Sequence, residues 1–176
     1  MIIQADSAVV NESLVGDTWI EISENLIQSV NLGVHPKPDQ IISGTLIPGF
    51  IDIHCHGGAG SYFSNASKVS DVIKIHKDHG TTGIVASLVS ESIEDLKAQI
   101  AALVPFYKSG LILGIHLEGP YLSHARCGAH EPTLLINPDI AEIKELLEIG
   151  AGAISMNCCQ LLQSSSANGS SIEIIG

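Results

Sequence analysis

TLIPGFIDIHCH, the stretch at residues 45–56, decides the fold, because a Pro-Gly turn here leads directly into a buried strand. Before it, residues 1–45 contain brief apolar runs separated by Asn, Gly and Asp, a pattern that predicts a small antiparallel sheet. After it, strand-like runs alternate with helix-like stretches. Such alternation is typical of a parallel sheet or a barrel, so we expect an α/β fold from about residue 46 onward.

The alternation can be followed along the chain. Three further strands are predicted: TGIVASLV at 82–89, LILGIHLEG at 111–119 and GAISM at 152–156. Three helices are predicted: residues 67–80, ending at Gly80; residues 92–108, opened by a Ser-x-x-Asp pattern at Ser92; and residues 137–150, with Asn137 as N-cap before Pro138. A closed (β/α)8 barrel takes about 250 residues, so residues 46–176 have room for half of one or for a smaller open sheet.

The composition limits what the chain can do. Its 176 residues are 45% hydrophobic, which excludes disorder for most of the chain, and its net charge of -11 argues against nucleic-acid binding. No apolar stretch is long enough to span a membrane, and the N-terminus lacks the basic region of a secretory signal. The cysteines have no CxxC zinc spacing, and we expect reduced thiols in a cytoplasmic protein: Cys55, Cys127, Cys158 and Cys159.

A pair of histidines ends the strand that follows the Pro-Gly turn. His54 and His56 are two residues apart, so on a strand both point to one face while Cys55 points to the other. Two imidazoles on one face can reach a single metal ion. The alternative is that the two histidines merely cap the strand.

A carboxylate occupies the equivalent place on the strand at 111–119. His116 and Glu118 share a face, and Gly119 with Pro120 then ends the strand. Active sites of barrels gather at the carboxyl ends of their strands, so Glu118 could bind a divalent metal beside the two histidines. The alternative is a strand-end carboxylate in solvent.

The loop after this strand and the first helix contain further candidates. In RCGAH, residues 126–130, His130 could contact an anionic or hydroxyl-rich ligand, while Cys127 is a reactive thiol or an ordinary loop cysteine.

His76 and His79 lie near the C-terminus of the first predicted helix, where imidazolium complements the helix dipole. We interpret both as structural residues on a surface turn.

Three phrases of the sequence resemble a known family. PGFIDIHCHGGAG at 48–60 resembles the first barrel strand of the amidohydrolase superfamily, where it follows a small β domain. GTTGIVASLVS at 80–90 and HLEGPYLSHARCGAH at 116–130 resemble one branch, the N-acetylglucosamine-6-phosphate deacetylases. The resemblance extends over roughly residues 1–156.

The resemblance implies an α/β fold in which the N-terminal half of a (β/α)8 metal-dependent hydrolase barrel follows a partial β-sandwich. We expect the partial β-sandwich at 1–45, the first half of the barrel at 46–156, and an atypical tail at 157–176. Only Glu173 is charged in that tail, which suggests a truncated, frameshifted or misspliced product. The alternative is a genuine linker or terminal tail.

The resemblance also implies a reaction, the deacetylation of N-acetylglucosamine 6-phosphate to glucosamine 6-phosphate and acetate in amino-sugar metabolism. Glu118 matches the family's metal-binding glutamate, and His54 and His56 match the ligand pair of members that hold a second metal. Ala129, through its backbone, and His130 match substrate-contacting positions. The implied cofactor is a divalent metal, zinc first, with iron or another metal as alternatives. The implied substrate is an amino-sugar phosphate, and full-length members are expected to be homo-oligomers.

The chain departs from the family in its catalytic residues. The family needs two later histidines and a catalytic aspartate, but this sequence has no His after His130 and no Asp after Asp139. We therefore assign no catalytic residue and expect the chain alone to be poorly stable and inactive. Two alternatives stay open: a non-catalytic fragment that binds metal or a partner subunit, or a cyclic-amide hydrolase, against which HLEGP and GAH argue.

Overall fold

The computed structural model describes residues 1–157, and these divide into two compact units, with the boundary between Gly49 and Phe50. The predicted tail lies outside the described residues except for its first position. The predicted boundary at 45/46 and the assignment of the two parts to a β-sandwich and a half-barrel stay predictions.

The first unit is a four-stranded sheet in the order β3-β2-β1-β4. Its strands are β1 (Ile2–Val10), β2 (Ser13–Ser23), β3 (Leu26–Leu32) and β4 (Gln40–Leu46). Two hairpins join the first three strands antiparallel, and both two-residue loops have positive φ angles, which suits the twist of hairpin strands. The prediction of an antiparallel sheet is wrong for β4, which pairs with β1 in parallel. The chain crosses back after β3, and Asp39 accepts a hydrogen bond from the Ile2 N–H at 2.6 Å, which fixes β4 beside the start of β1.

The second unit contains a parallel sheet whose strand order follows the chain. Its sheet strands are β5 (Phe50–Cys55), β8 (Thr81–Val89), β9 (Gly114–Glu118) and β10 (Ile154–Asn157), and a two-stranded ribbon is formed by β6 (Gly57–Gly58) and β7 (Ser61–Tyr62). The helices are α1 (Val69–Asp78), α2 (Ile93–Lys108) and α3 (Ile140–Ile149), with short 3-10 turns at Ala66–Lys68, His124–Arg126 and Pro132–Leu134. All sheet pairs are parallel, which confirms the predicted α/β fold.

The core of the second unit lies between the central strands and the helices. Side chains from α1, α2, α3, β8 and β9 are fully buried together: Val69, Val72, Leu88, Leu96, Ile100, Leu103, Ile115, Leu117 and Leu146. The prediction of a buried strand is wrong for β5, which lies at the edge of the sheet, because Phe50, Ile51 and Ile53 are mostly exposed. Burial of apolar side chains therefore stabilises the central strands far more than the edge strand β5.

Among the described residues, none of the helices has the length and hydrophobicity required to cross a membrane.

The ends of the helices test the capping predictions. The Ser92 hydroxyl accepts a hydrogen bond from the Asp95 N–H at 3.1 Å, and Gly80 follows α1 with a φ of 92°, so both signals are confirmed. The predicted cap at Asn137 is wrong, because α3 starts three residues later and Asp139 caps it. One carboxylate oxygen of Asp139 accepts hydrogen bonds from two N–H groups of the first turn, at 2.7 and 3.1 Å. A carboxylate also complements the helix dipole, which an amide does not.

Replacing Asp139 with alanine is expected to lower the free energy of unfolding by about 1 kcal/mol, because two N–H groups of α3 lose their acceptor. Asn137→Ala is the matched control and should change it by less than about 0.5 kcal/mol. Urea unfolding followed by circular dichroism measures both. Equal losses from the two variants would contradict the assignment of the cap.

Candidate functional site

Three of the predicted site residues converge at the carboxyl ends of the sheet strands. His54 is in β5, His56 follows that strand directly, and Glu118 ends β9, from which it reaches across the intervening β8. The Nε2 atoms of His54 and His56 are 3.0 Å apart. The Glu118 Oε2 atom lies 3.2 Å from the first and 2.8 Å from the second. We call these three residues the edge triad.

The donor set of the edge triad fits a divalent cation. Zinc bonds of about 2.0–2.2 Å in tetrahedral geometry place neighbouring ligand atoms roughly 3.3 Å apart, close to the observed separations. Two imidazoles and one carboxylate are ligands that zinc accepts, and three protein ligands leave one coordination position open. The arrangement can therefore hold a metal and leave room for water or substrate.

The surroundings of Glu118 favour its charged form. Burial raises the pKa of the carboxyl group, but the hydrogen bond from His54 lowers it. The positive charges available on His54, His56 and His130 lower the pKa further, and the balance lies below the ordinary value for glutamate. Glu118 is therefore available as an anionic ligand at neutral pH.

His116 is a neighbour of the edge triad to which the sequence pattern assigned no role. It is only 8% exposed, and its Nδ1 atom lies 3.2 Å from the Ser87 hydroxyl on β8. The His116 ring contacts the ring of His54 edge-on, with centroids 4.8 Å apart. Strand alternation places His116 on the face of Glu118, but the partner Ser87 depends on the register between β8 and β9.

The predicted substrate-contacting residues lie at a cavity beside the edge triad. His130 Nε2 is 3.8 Å from Glu118 Oε1. Ala129 and His130 line a cavity of about 690 Å³ together with Glu118 and His56. The structure thus brings all five predicted site residues to one place, and their roles as ligands or substrate contacts stay predictions.

His76 lies in the last turn of α1, as predicted near a helix C-terminus, but it is less exposed than a residue on a surface turn. Its side chain is half-buried, and its Nε2 atom lies 3.2 Å from Cys55 Sγ and 3.0 Å from the Gly57 carbonyl oxygen. That carbonyl belongs to the β6–β7 ribbon, which follows β5 directly and contacts α1. Cys55 points away from the edge triad as predicted, and burial raises the pKa of its thiol. His79, by contrast, is exposed.

Gly119 is expected to be essential for the shape of the site, because its φ is 98° and an added Cβ would lie 2.0 Å from Ser90 Oγ. That hydroxyl donates to the Glu118 carbonyl at 3.3 Å, so a clash would displace the residue that carries the carboxylate. Gly119→Ala should therefore cost about 1–3 kcal/mol more unfolding free energy than Gly128→Ala, which has positive φ but no atom within 4 Å. Urea titrations compare the variants, and equal costs would show that the contact with Ser90 is unimportant.

Comparisons with known proteins identify relatives of the chain. No protein-family model matches it. The chain is 32% identical over 127 residues to N-acetylgalactosamine-6-phosphate deacetylase of Shewanella sp. (strain ANA-3), a match that covers 66% of this chain and 32% of the relative.

Two solved structures from Mycobacterium smegmatis are also similar. The first is N-acetyl-D-glucosamine-6-phosphate deacetylase, with 40% identity and a TM-score of 0.82, covering 88% of this chain and 45% of that one. The second is a mutant of that enzyme in complex with N-acetyl-D-glucosamine-6-phosphate, with the same identity and TM-score, covering 88% of this chain and 42% of that one. The chain therefore spans between about a third and just under half of the length of these relatives.

Proposed function

We propose that this chain, which is similar over most of its length to N-acetylglucosamine-6-phosphate deacetylases, carries the metal-binding part of such an active site. The observation that carries the proposal is the edge triad. A histidine pair and a glutamate from two non-adjacent strands meet within 3.2 Å at the carboxyl ends of the strands. This is where the active sites of (β/α)8 barrel enzymes lie.

The architecture that we propose is the first half of a (β/α)8 barrel at residues 46–156, after part of a β-sandwich at 1–45. Four parallel strands in chain order, with helices between them, support this. The share of the solved relative that the chain covers, 45%, supports it as well.

The proposed cofactor is a divalent metal, zinc in the first place, held by His54, His56 and Glu118. When bound, such a metal polarises an amide carbonyl and lowers the pKa of a bound water. The side chains prepare the site: Glu118 contributes negative charge, and the two imidazoles would offer Nε2 lone pairs as neutral tautomers that carry their proton on Nδ1. The ring of His116, buried against Ser87, restricts the orientation of the His54 ring.

The proposed ligand is an amino-sugar phosphate, N-acetylglucosamine 6-phosphate in the first place. His130 offers a ring nitrogen beside the Glu118 carboxylate, and Ala129 offers backbone groups at the same cavity. We assign no catalytic base within residues 1–176, because no His follows His130 and no Asp follows Asp139. We therefore propose that the chain by itself binds metal and sugar phosphate without turnover. Cytoplasmic location and homo-oligomeric assembly of full-length members stay predictions.

The test is calorimetric titration of the zinc-loaded chain with N-acetylglucosamine 6-phosphate, together with an assay for released amine. We expect binding that requires zinc, is lost in Glu118→Ala and persists in the control His79→Asn, without amine release. N-acetylgalactosamine 6-phosphate, which differs in the configuration of one hydroxyl, is titrated in parallel to decide the sugar. Absence of zinc-dependent binding of either sugar phosphate would overturn the proposal. Amine release that Glu118→Ala abolishes would contradict the absence of turnover.

A further inference from the structure

A second group of metal-binding side chains joins β5 to α1. Asp52 and Cys55 lie on the strand and His76 lies on the helix. They offer a carboxylate oxygen, a sulfur and a ring nitrogen, all within 4.8 Å of one another. None of the three belongs to the edge triad.

The distances within this group resemble those of ligands around one ion. The sulfur of Cys55 and the Nε2 atom of His76 are 3.2 Å apart. A tetrahedral zinc ion with a Zn–S bond of about 2.3 Å and a Zn–N bond of about 2.0 Å separates its sulfur and nitrogen ligands by roughly 3.5 Å. A cation could therefore enter between the two atoms with only a small outward shift of either side chain.

The glycine turn after β5 holds the imidazole in this position. A Cβ on Gly58 would lie 2.9 Å from His76 Nε2, so a larger residue there would push the imidazole away. Gly57 is also required, since its Cβ would lie 2.1 Å from the Ser61 carbonyl oxygen. The two glycines thus leave the space that the imidazole occupies beside Cys55.

The chemistry of the group differs from that of the edge triad. A thiolate is a soft ligand that favours zinc and similar metals over magnesium or calcium, and the carboxylate adds a second negative charge. Asp52, Cys55 and His76 line a cavity of about 560 Å³, which His54 and His56 also line, so the group borders open space although Cys55 itself is buried. Divalent charge would be balanced by one thiolate and one carboxylate, with the imidazole neutral.

We propose that Asp52, Cys55 and His76 form a second site, for a thiophilic divalent cation such as zinc or cadmium. Binding releases the proton of the Cys55 thiol to solvent and requires the neutral His76 tautomer that carries its proton on Nδ1. The contacts of Nε2 with the sulfur and with the Gly57 carbonyl oxygen are then replaced by metal–ligand bonds. The site goes beyond the proposed function and does not depend on it, since it shares no ligand with the edge triad.

The experiment uses the full chain with Cys127, Cys158 and Cys159 changed to serine, so that Cys55 is the only thiol. Cobalt is titrated in, and the sulfur-to-cobalt charge-transfer absorption in the near ultraviolet is recorded. We expect a band that reaches its maximum by two equivalents, because the edge triad also takes up cobalt but adds no sulfur band. The band should be displaced by zinc and disappear in Cys55→Ser. His76→Asn and Asp52→Asn should each weaken cobalt binding at least about tenfold.

Two further variants separate this site from the edge triad and from misfolding. Glu118→Gln in the same background should leave the charge-transfer band unchanged, so the two proposals can fail independently. Gly58→Ala keeps all three ligands but displaces His76, and we expect a weaker band with an unchanged far-ultraviolet circular dichroism spectrum. Absence of the band, or a band that His76→Asn leaves unchanged, would overturn the inference.

Discussion

Zinc affinity at the edge triad is expected to fall by more than about 100-fold when Glu118 is replaced with glutamine. Changing a residue that only orients a metal ligand already lowers metal affinity about 10–100-fold. Glu118 is proposed to bind the metal directly, so we expect a larger loss. Its carboxylate lies within 3.2 Å of both histidine Nε2 atoms and is the only anionic group of the edge triad. Glutamine keeps the size of the side chain but removes the charge.

The measurement is a competition titration against a chromophoric zinc chelator, performed in a Cys55→Ser background so that the second proposed site does not contribute. Glu148→Gln is the matched control, because Glu148 is exposed on α3 and away from the edge triad. Its zinc affinity should equal that of the parent. An unchanged affinity in Glu118→Gln would mean that zinc binds elsewhere in the chain.

Leu146→Ala is expected to lower the free energy of unfolding by about 3 kcal/mol, within the 2–5 kcal/mol range typical of buried leucines. Leu146 is 0% exposed and belongs to the core of the second unit. Leu147 is the neighbouring residue on α3 and is 45% exposed, so Leu147→Ala should cost less than about 1 kcal/mol. The pair shares its helix and chemistry and differs in burial.

Urea unfolding at low temperature measures this difference, since a loss of about 3 kcal/mol is a large fraction of the stability of a small domain. We expect the midpoint of Leu146→Ala to shift strongly and that of Leu147→Ala to stay near the parent. Similar midpoints for the two variants would mean that α3 does not pack in solution as the structure has it.

Local signals in the sequence predicted much of the second unit. The Ser92 cap depends on residues within one turn, and the end of α1 is marked by Gly80, which follows it closely. The cap of α3 could not be predicted as safely, because Asn137 and Asp139 are both good N-caps and the observed hydrogen bonds select the second. Likewise, apolar runs cannot show that β4 joins β1 in parallel.

The candidate site was predictable where it follows from strand geometry. Alternation on a strand placed His54 and His56 on one face, and the strand-end position brought Glu118 to the same edge. Contacts that depend on register or on tertiary folding could not be predicted. Ser87 faces His116 only because of the β8–β9 register, and His76 meets Cys55 only because a glycine turn folds over α1.

The central claim is that His54, His56 and Glu118 hold a divalent metal at the carboxyl edge of the parallel sheet. The most direct test is an anomalous difference map, recorded at the zinc edge, from crystals of the chain grown with zinc. We predict a peak at about 2.0–2.2 Å from the Nε2 atoms of His54 and His56 and from a Glu118 carboxylate oxygen. A map that shows these three side chains ordered without a zinc peak between them would contradict the claim.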